Sequence, residues 1–311
     1  MKYFKDCIKE IKVKKEGDTP VFFIGTIGKN GIKANMRTLA SGAEIKEASF
    51  NMSLYDQGSN MEYCLKQAGK KHDAVWHREK IDCIWVNAYK EDADYLETLK
   101  PGMQVAGGGI LRAIKNDPDK VMIMASVIFR YTEEPKLKPT GRYERIGFDY
   151  IRPVRAKDGD VPVVFAGCRG KYCDIRVLSG VQMAHTQLSF RNQSESIEEF
   201  KKALGCDTVA YQSENSSTVG INSAVWRKDV DYLVKKGQYY QALGCGSLGC
   251  HSYNGKNSLE LSVASMARTF APEGSVPQTE EAPEEASQTP VTETQTSSPE
   301  QTSQDFMDEF L

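Results

Sequence analysis

Residues 15–29 read KEGDTPVFFIGTIGK, and 142 positions later residues 157–171 read KDGDVPVVFAGCRGK, identical at nine of fifteen positions. A repeat of this kind constrains the fold more than any other feature, because the chain must build one unit twice. The match continues with small changes of offset that mark loop insertions. Ser49-Phe50 answers Ser189-Phe190, Asp94-Tyr95-Leu96 answers Asp231-Tyr232-Leu233, Lys100-Pro101-Gly102 answers Lys236-Gly237, and Ala125-Ser126 answers Ala264-Ser265. The 311 residues therefore divide into a first domain (1–131), a linker rich in Pro and charge (132–142), a second domain (143–270) and a tail (271–311).

Within each unit the predicted order is strand, strand, helix, strand, helix, strand, strand. PVFFIG and PVVFAG are short apolar β runs, followed by a Gly-containing turn and a second strand ending near Phe50 or Phe190. The glycine pairs Gly25 with Gly28 and Gly167 with Gly170 suit a first strand that bends to serve two sheet faces. Helices are predicted over 60–68 and 196–204. KIDCIWVNA and TVGINSAVW are the third strands, and a short helix through Tyr95 or Tyr232 leads to a Gly-rich fourth strand. This pattern predicts a mainly β fold: two tandem five-stranded Greek-key barrels of the OB type, with short helices. Phe50 and Phe190 are expected inside, since Ala48, Phe50, Met52 and Leu54 alternate with Ser49, Asn51 and Ser53.

Charge is segregated along the chain. The formal net charge is -2, but residues 271–311 carry ten acidic residues and no Lys or Arg, leaving +8 on residues 1–270. A basic body suits a polyanionic ligand. The tail is dominated by Pro, Thr, Ser, Glu and Gln, a composition expected to stay disordered. It ends SQDFMDEFL, where Asp305, Phe306, Asp308, Glu309, Phe310 and Leu311 make an acidic-aromatic tip suited to docking on another protein. No stretch approaches the ~20 apolar residues of a membrane span, and no signal peptide is evident, so a cytoplasmic protein without membrane contact is expected.

The stretch IDCIWVNAYKEDADYLETLKPGMQVAGGGILRA resembles the bacterial and phage single-stranded DNA-binding protein family. The resemblance rests on an aromatic on the third strand (Trp85), a helix carrying Tyr95-Leu96, a Lys100-Pro101-Gly102 turn, and a Gly-containing strand from Gln104 to Arg112. The second unit repeats it as DYLVKKGQYYQALGCGSL, with Trp226 six residues before Tyr232 rather than ten, as though shortened ahead of its helix. The resemblance implies a non-enzymatic protein that coats single-stranded DNA in replication, recombination or repair and recruits partner proteins through its acidic tip. It also implies a homodimer, in which two chains supply four barrels. The setting is a bacterial cytoplasm or a phage-infected cell, and the duplicated barrel leans toward a mobile element. A protein-interaction module and an RNA-binding chaperone are the alternatives.

Sequence-tolerant binding needs flat aromatic faces for bases and cations for phosphates. The candidates in unit one are Trp85, Trp76, Tyr89, Lys29, Arg37, Arg78 and Arg112; in unit two they are Trp226, Lys171, Arg176, Arg191 and Tyr253. GTIGKNG lacks the spacing of a phosphate loop. Cys168 with Cys173 and Cys245 with Cys250 could hold zinc only if both pairs converged, and unit one has Thr26 and Gly31 in place of the first pair. No cofactor, metal or catalytic constellation is expected.

Overall fold

The computed structural model describes residues 5–39, 41–132, 147–213, 217–238, 240–253 and 255–267. The linker beyond Thr132 and the acidic tail with its tip lie outside these residues. The first half comprises β1 (Cys7–Glu10), β2 (Thr19–Thr38), β3 (Glu44–Tyr55), α1 (Gly58–Gln67), β4 (Trp76–Arg78), β5 (Ile81–Tyr89), α2 (Glu91–Glu97), β6 (Gln104–Ile114) and β7 (Asp117–Arg130). The second comprises β8 (Tyr150–Pro153), β9 (Val161–Leu178), β10 (Val181–Arg191), α3 (Ser194–Leu204), β11 (Tyr211–Gln212), β12 (Thr218–Trp226), α4 (Lys228–Lys236), β13 (Gln241–Tyr253) and β14 (Lys256–Ala267).

Each half closes a five-stranded barrel. In the first, β2, β3, β5, β7 and β6 pair in that order and β6 returns to β2, with only the β5–β7 pair parallel. The second repeats the circuit with β9, β10, β12, β14 and β13. This is the OB-type topology read from the repeat. Phe50 and Phe190 are both fully buried in the barrel cores.

The expected turn after PVFFIG is absent. Instead β2 continues through it to Thr38, pairing with β6 up to Thr26 and with β3 from Thr26 onward, with a bulge between Ile27 and Ile32. Bending the strand there brings the side chains of the next strand too close for a Cβ on the bend. A Cβ on Gly25 would lie 2.5 Å from Met52, and one on Gly167 would lie 2.6 Å from Phe190. Glycine is the residue that admits this approach.

Why the first strands are apolar without interruption follows from what covers them. Val21 and Phe23 point into the first barrel, whereas Phe22 and Ile24 point into a third apolar layer between the barrels. Val163 and Phe165 likewise fill the second barrel while Val164 and Ala166 enter the shared layer. Strands buried on both faces lose their polar alternation. Phe129, Tyr131, Leu243 and Cys245 also enter this layer.

The halves also exchange a strand. β1 pairs with β9 of the second barrel, β8 pairs with β2 of the first, and Ile8 and Ile151 each sit in the core of the barrel opposite in sequence. A buried carboxylate anchors each exchanged strand. Asp149 accepts hydrogen bonds from Gln104 Nε2 (2.7 Å) and the Tyr55 backbone N–H (2.8 Å). Asp6 accepts the same pair from Gln241 Nε2 (3.0 Å) and the Arg191 N–H (2.9 Å). The two barrels are thus one reciprocally laced body.

Candidate functional site

Residue-by-residue equivalence of the barrels follows from the left-handed residues that end corresponding strands, Asp56 with Asn192 and Lys90 with Arg227. Leu54, not Phe50, then matches Phe190, and Phe50 matches Thr186, which corrects the alignment of Ser49-Phe50 with Ser189-Phe190. The third strands β5 and β12 are each nine residues long, so unit two is not shortened. Trp226 occupies the place of Tyr89, immediately before the left-handed residue, and the place of Trp85 is taken by Asn222.

In the first barrel, the outward positions of β3 and β5 form one face. Asn51 opposes Trp85, Ser49 opposes Asn87 and Glu47 opposes Tyr89. Strand β4 extends the face at its edge, where Trp76 pairs with Cys83, two residues before Trp85. The two indoles are therefore diagonal neighbours on the same surface, a relation that sets the two residues ~7–8 Å apart in antiparallel strands, within reach of aromatic side chains. Trp76 is 57% exposed and Trp85 38% exposed, high values for a side chain that is mostly buried on average. They line a cleft of about 540 Å³ together with Asn51, Asp73, His77, Asp117 and Lys120. His77 stacks on His72 at 4.8 Å, and His72 Nε2 lies 2.8 Å from the buried Asp82 carboxylate, so the cleft wall is braced from behind.

The other first-barrel candidates divide into three groups. Tyr89 continues the face four residues beyond Trp85, but its hydroxyl donates to Glu47 (2.9 Å) and accepts from Arg37 (3.4 Å). Burial, with Glu47 adding to it, raises the Tyr89 phenol above its ordinary pKa. Lys29 on the β2 bulge and Arg78 beside Trp76 on β4 are exposed. Arg112 is different: Nε donates to Asp18 Oδ1 at 2.7 Å and Nη2 donates to Oδ2. Burial opposes ionisation of Asp18, yet the Arg112 fork and the Lys14 and Lys15 N–H groups outweigh it and hold the carboxyl below its ordinary pKa. A cation committed to a bidentate pair is a fold element first.

The second barrel presents a different face. Tyr211, which the sequence reading passed over, takes the place of Trp76 and pairs with Gly220. Its ring lies so close on the sheet that a Cβ at Gly220 would sit 2.0 Å from it, and its hydroxyl bonds Ser189. Beside Asn222 stands Glu260, where the first barrel has Met122 next to Trp85. Trp226 is half-buried at the end of β12, opposite Met183. Lys171 is exposed, Arg176 pairs with Asp174 at 2.7 Å, and Arg191 is exposed where its backbone holds Asp6. Tyr253 closes β13 opposite Lys256, and its side chain lies outside the described residues. The face thus carries an anion and a tyrosine laid flat where the first barrel has an open aromatic cleft.

The four cysteines considered for zinc do not converge, and among the described residues no group of three metal-ligating side chains forms. Cys245 is sealed in the layer between barrels, where burial pushes its thiol up to about 12. Cys250 faces the Gly205 carbonyl instead. Among the described residues no helix is long and apolar enough to cross a membrane.

No protein-family model matches the sequence, and no curated protein is significantly similar to it. Among solved structures the chain is similar to the wild-type single-stranded DNA binding protein from Thermus aquaticus, at 14% identity over 81% of this chain and 93% of that one, with a TM-score of 0.25. It is similar to the second single-stranded DNA binding protein from Mycobacterium smegmatis, at 14% identity over 36% of this chain and 88% of that one, with a TM-score of 0.23. A small single-stranded DNA-binding protein from Streptomyces coelicolor gives 16% identity, 36% and 92% coverage and a TM-score of 0.24.

Proposed function

We propose that this chain binds single-stranded DNA across the outer face of its first barrel, with bases stacking at Trp76 and Trp85 and phosphates meeting Lys29, Arg78 and Arg37. The carrying observation is the cleft itself: two exposed indoles, diagonal on one rigid sheet, is an arrangement that a packed core does not require and that stacking of bases does. The second barrel serves as the partner that completes the laced body, and Lys171, Arg176, Arg191, Trp226 and Tyr253 add peripheral contacts. The reading is of a cytoplasmic, non-enzymatic coating protein of replication, recombination or repair, homodimeric, whose tip at residues 305–311 recruits other proteins.

Titration of the full chain with oligo-dT tests it. Tryptophan fluorescence should fall on binding, and affinity should drop by at least about tenfold as salt is raised from roughly 50 to 200 mM, because phosphate contacts release counterions. Removal of residues 303–311 should leave binding intact or tighten it by removing a competing polyanion. Quenching absent at all salt concentrations would overturn the reading, and a matched RNA strand binding more tightly would turn it toward an RNA chaperone.

A further inference from the structure

The chemistry of the cleft goes beyond stacking. Its charged rim holds two carboxylates, Asp73 and Asp117, against one ammonium, Lys120, whose Nζ already donates to the Asp73 backbone carbonyl at 2.5 Å. Its floor holds Asn51, whose Oδ1 is buried with no hydrogen-bond partner. A buried acceptor without a donor is costly, and it is satisfied when a ligand brings an N–H to it. An acceptor without a donor thus lies in the lining of a slot that two indoles and two aspartates share.

Carboxylates repel phosphate, so the occupant of this slot is a base edge rather than the backbone. Bases differ in what that edge offers. Cytosine and adenine present an exocyclic amine, a donor matched to Asp, Glu or amide oxygens, whereas thymine presents O4, an acceptor, at the same position. In the second barrel the aromatic slot is dismantled: Asn222 stands for Trp85, Gly220 for Cys83 and Gln187 for Asn51, with Tyr211 flat across the site. We infer that the first-barrel cleft is a nucleobase pocket selective for bases with an amine at the cytosine N4 or adenine N6 position, so that this chain prefers strands rich in cytosine or adenine over thymine. This rests on the single-stranded DNA reading above and adds to it a specificity.

The test compares two homo-oligonucleotides of equal length, one of thymine and one of 5-methylcytosine, which share the methyl group and differ at position 4, carbonyl against amine, with the N3 proton that accompanies the carbonyl. The full chain should bind the 5-methylcytosine strand about fivefold or more tightly, the discrimination of one good base contact. N51A, and separately the double substitution D73N with D117N, should bring the two affinities to within about twofold, in each case with an unchanged melting curve. Equal affinities in the unsubstituted chain, a preference for thymine, or a preference that survives both variants would overturn the inference while leaving DNA binding in place. If neither strand binds, the proposed function itself fails.

Discussion

Replacing Trp85 with alanine should weaken oligonucleotide binding by about fivefold to 150-fold, the loss of roughly 1–3 kcal/mol of base stacking. Because the indole is 38% exposed on the outer face and its neighbours in the barrel wall are Asn51 and Met122, its removal opens no core cavity. The melting midpoint should therefore stay where it is. Tyr211→Ala in the second barrel is the matched control. That ring covers Gly220 and bonds Ser189, so its loss should cost stability and leave affinity nearly unchanged. Isothermal titration and thermal melts of both variants separate the two effects, and equal losses of affinity would contradict the division between the barrels.

The second large effect concerns the lacing. Asp149 is 1% exposed and holds the exchanged strand β8 by accepting from Gln104 and the Tyr55 backbone. Asp149→Ala strands those buried donors, at about 3 kcal/mol in total. A body of this size loses roughly 2–4 °C of melting midpoint per kcal/mol, so a fall of roughly 6–12 °C is expected. Since Ile151 lies in the first core and Ile8 in the second, calorimetry should still show one transition. Two separated transitions in the unsubstituted chain would show that the barrels fold independently and that the lacing contributes little.

The fold was largely legible in the sequence because the repeat preserved what determines a barrel. Strand order, the bending glycines and the buried Phe50 and Phe190 all follow from alternation and turn chemistry. The exchanged strands were not legible: β1 and β8 are four residues each, and their patterns fit the edge of either barrel. Trp226 was matched to Trp85 because a displacement by an even number of residues keeps every side chain on its own face, so the slip leaves the apolar pattern intact. The left-handed residues at Lys90 and Arg227 expose it, at the same offset that joins Tyr95 to Tyr232. For the site, Trp85 and Trp76 were readable as aromatics on a third strand and its edge. Asp73, Asp117 and Lys120 were not, since they reach the cleft from a 3₁₀ turn and from the start of β7, and no spacing in sequence joins them. Arg112 looked like a phosphate contact because its partner Asp18 lies 94 residues away.

The central claim, that DNA lies on the first-barrel face, is tested most directly by two single-tryptophan proteins made from the three tryptophans of the chain. One keeps Trp85 with Trp76 and Trp226 changed to Phe; the other keeps Trp226 with Trp76 and Trp85 changed to Phe. Saturation with a cytosine-containing oligonucleotide should quench most of the emission of the first and little of the second. Quenching of Trp226 with Trp85 unaffected would place the strand on the other barrel and contradict the account.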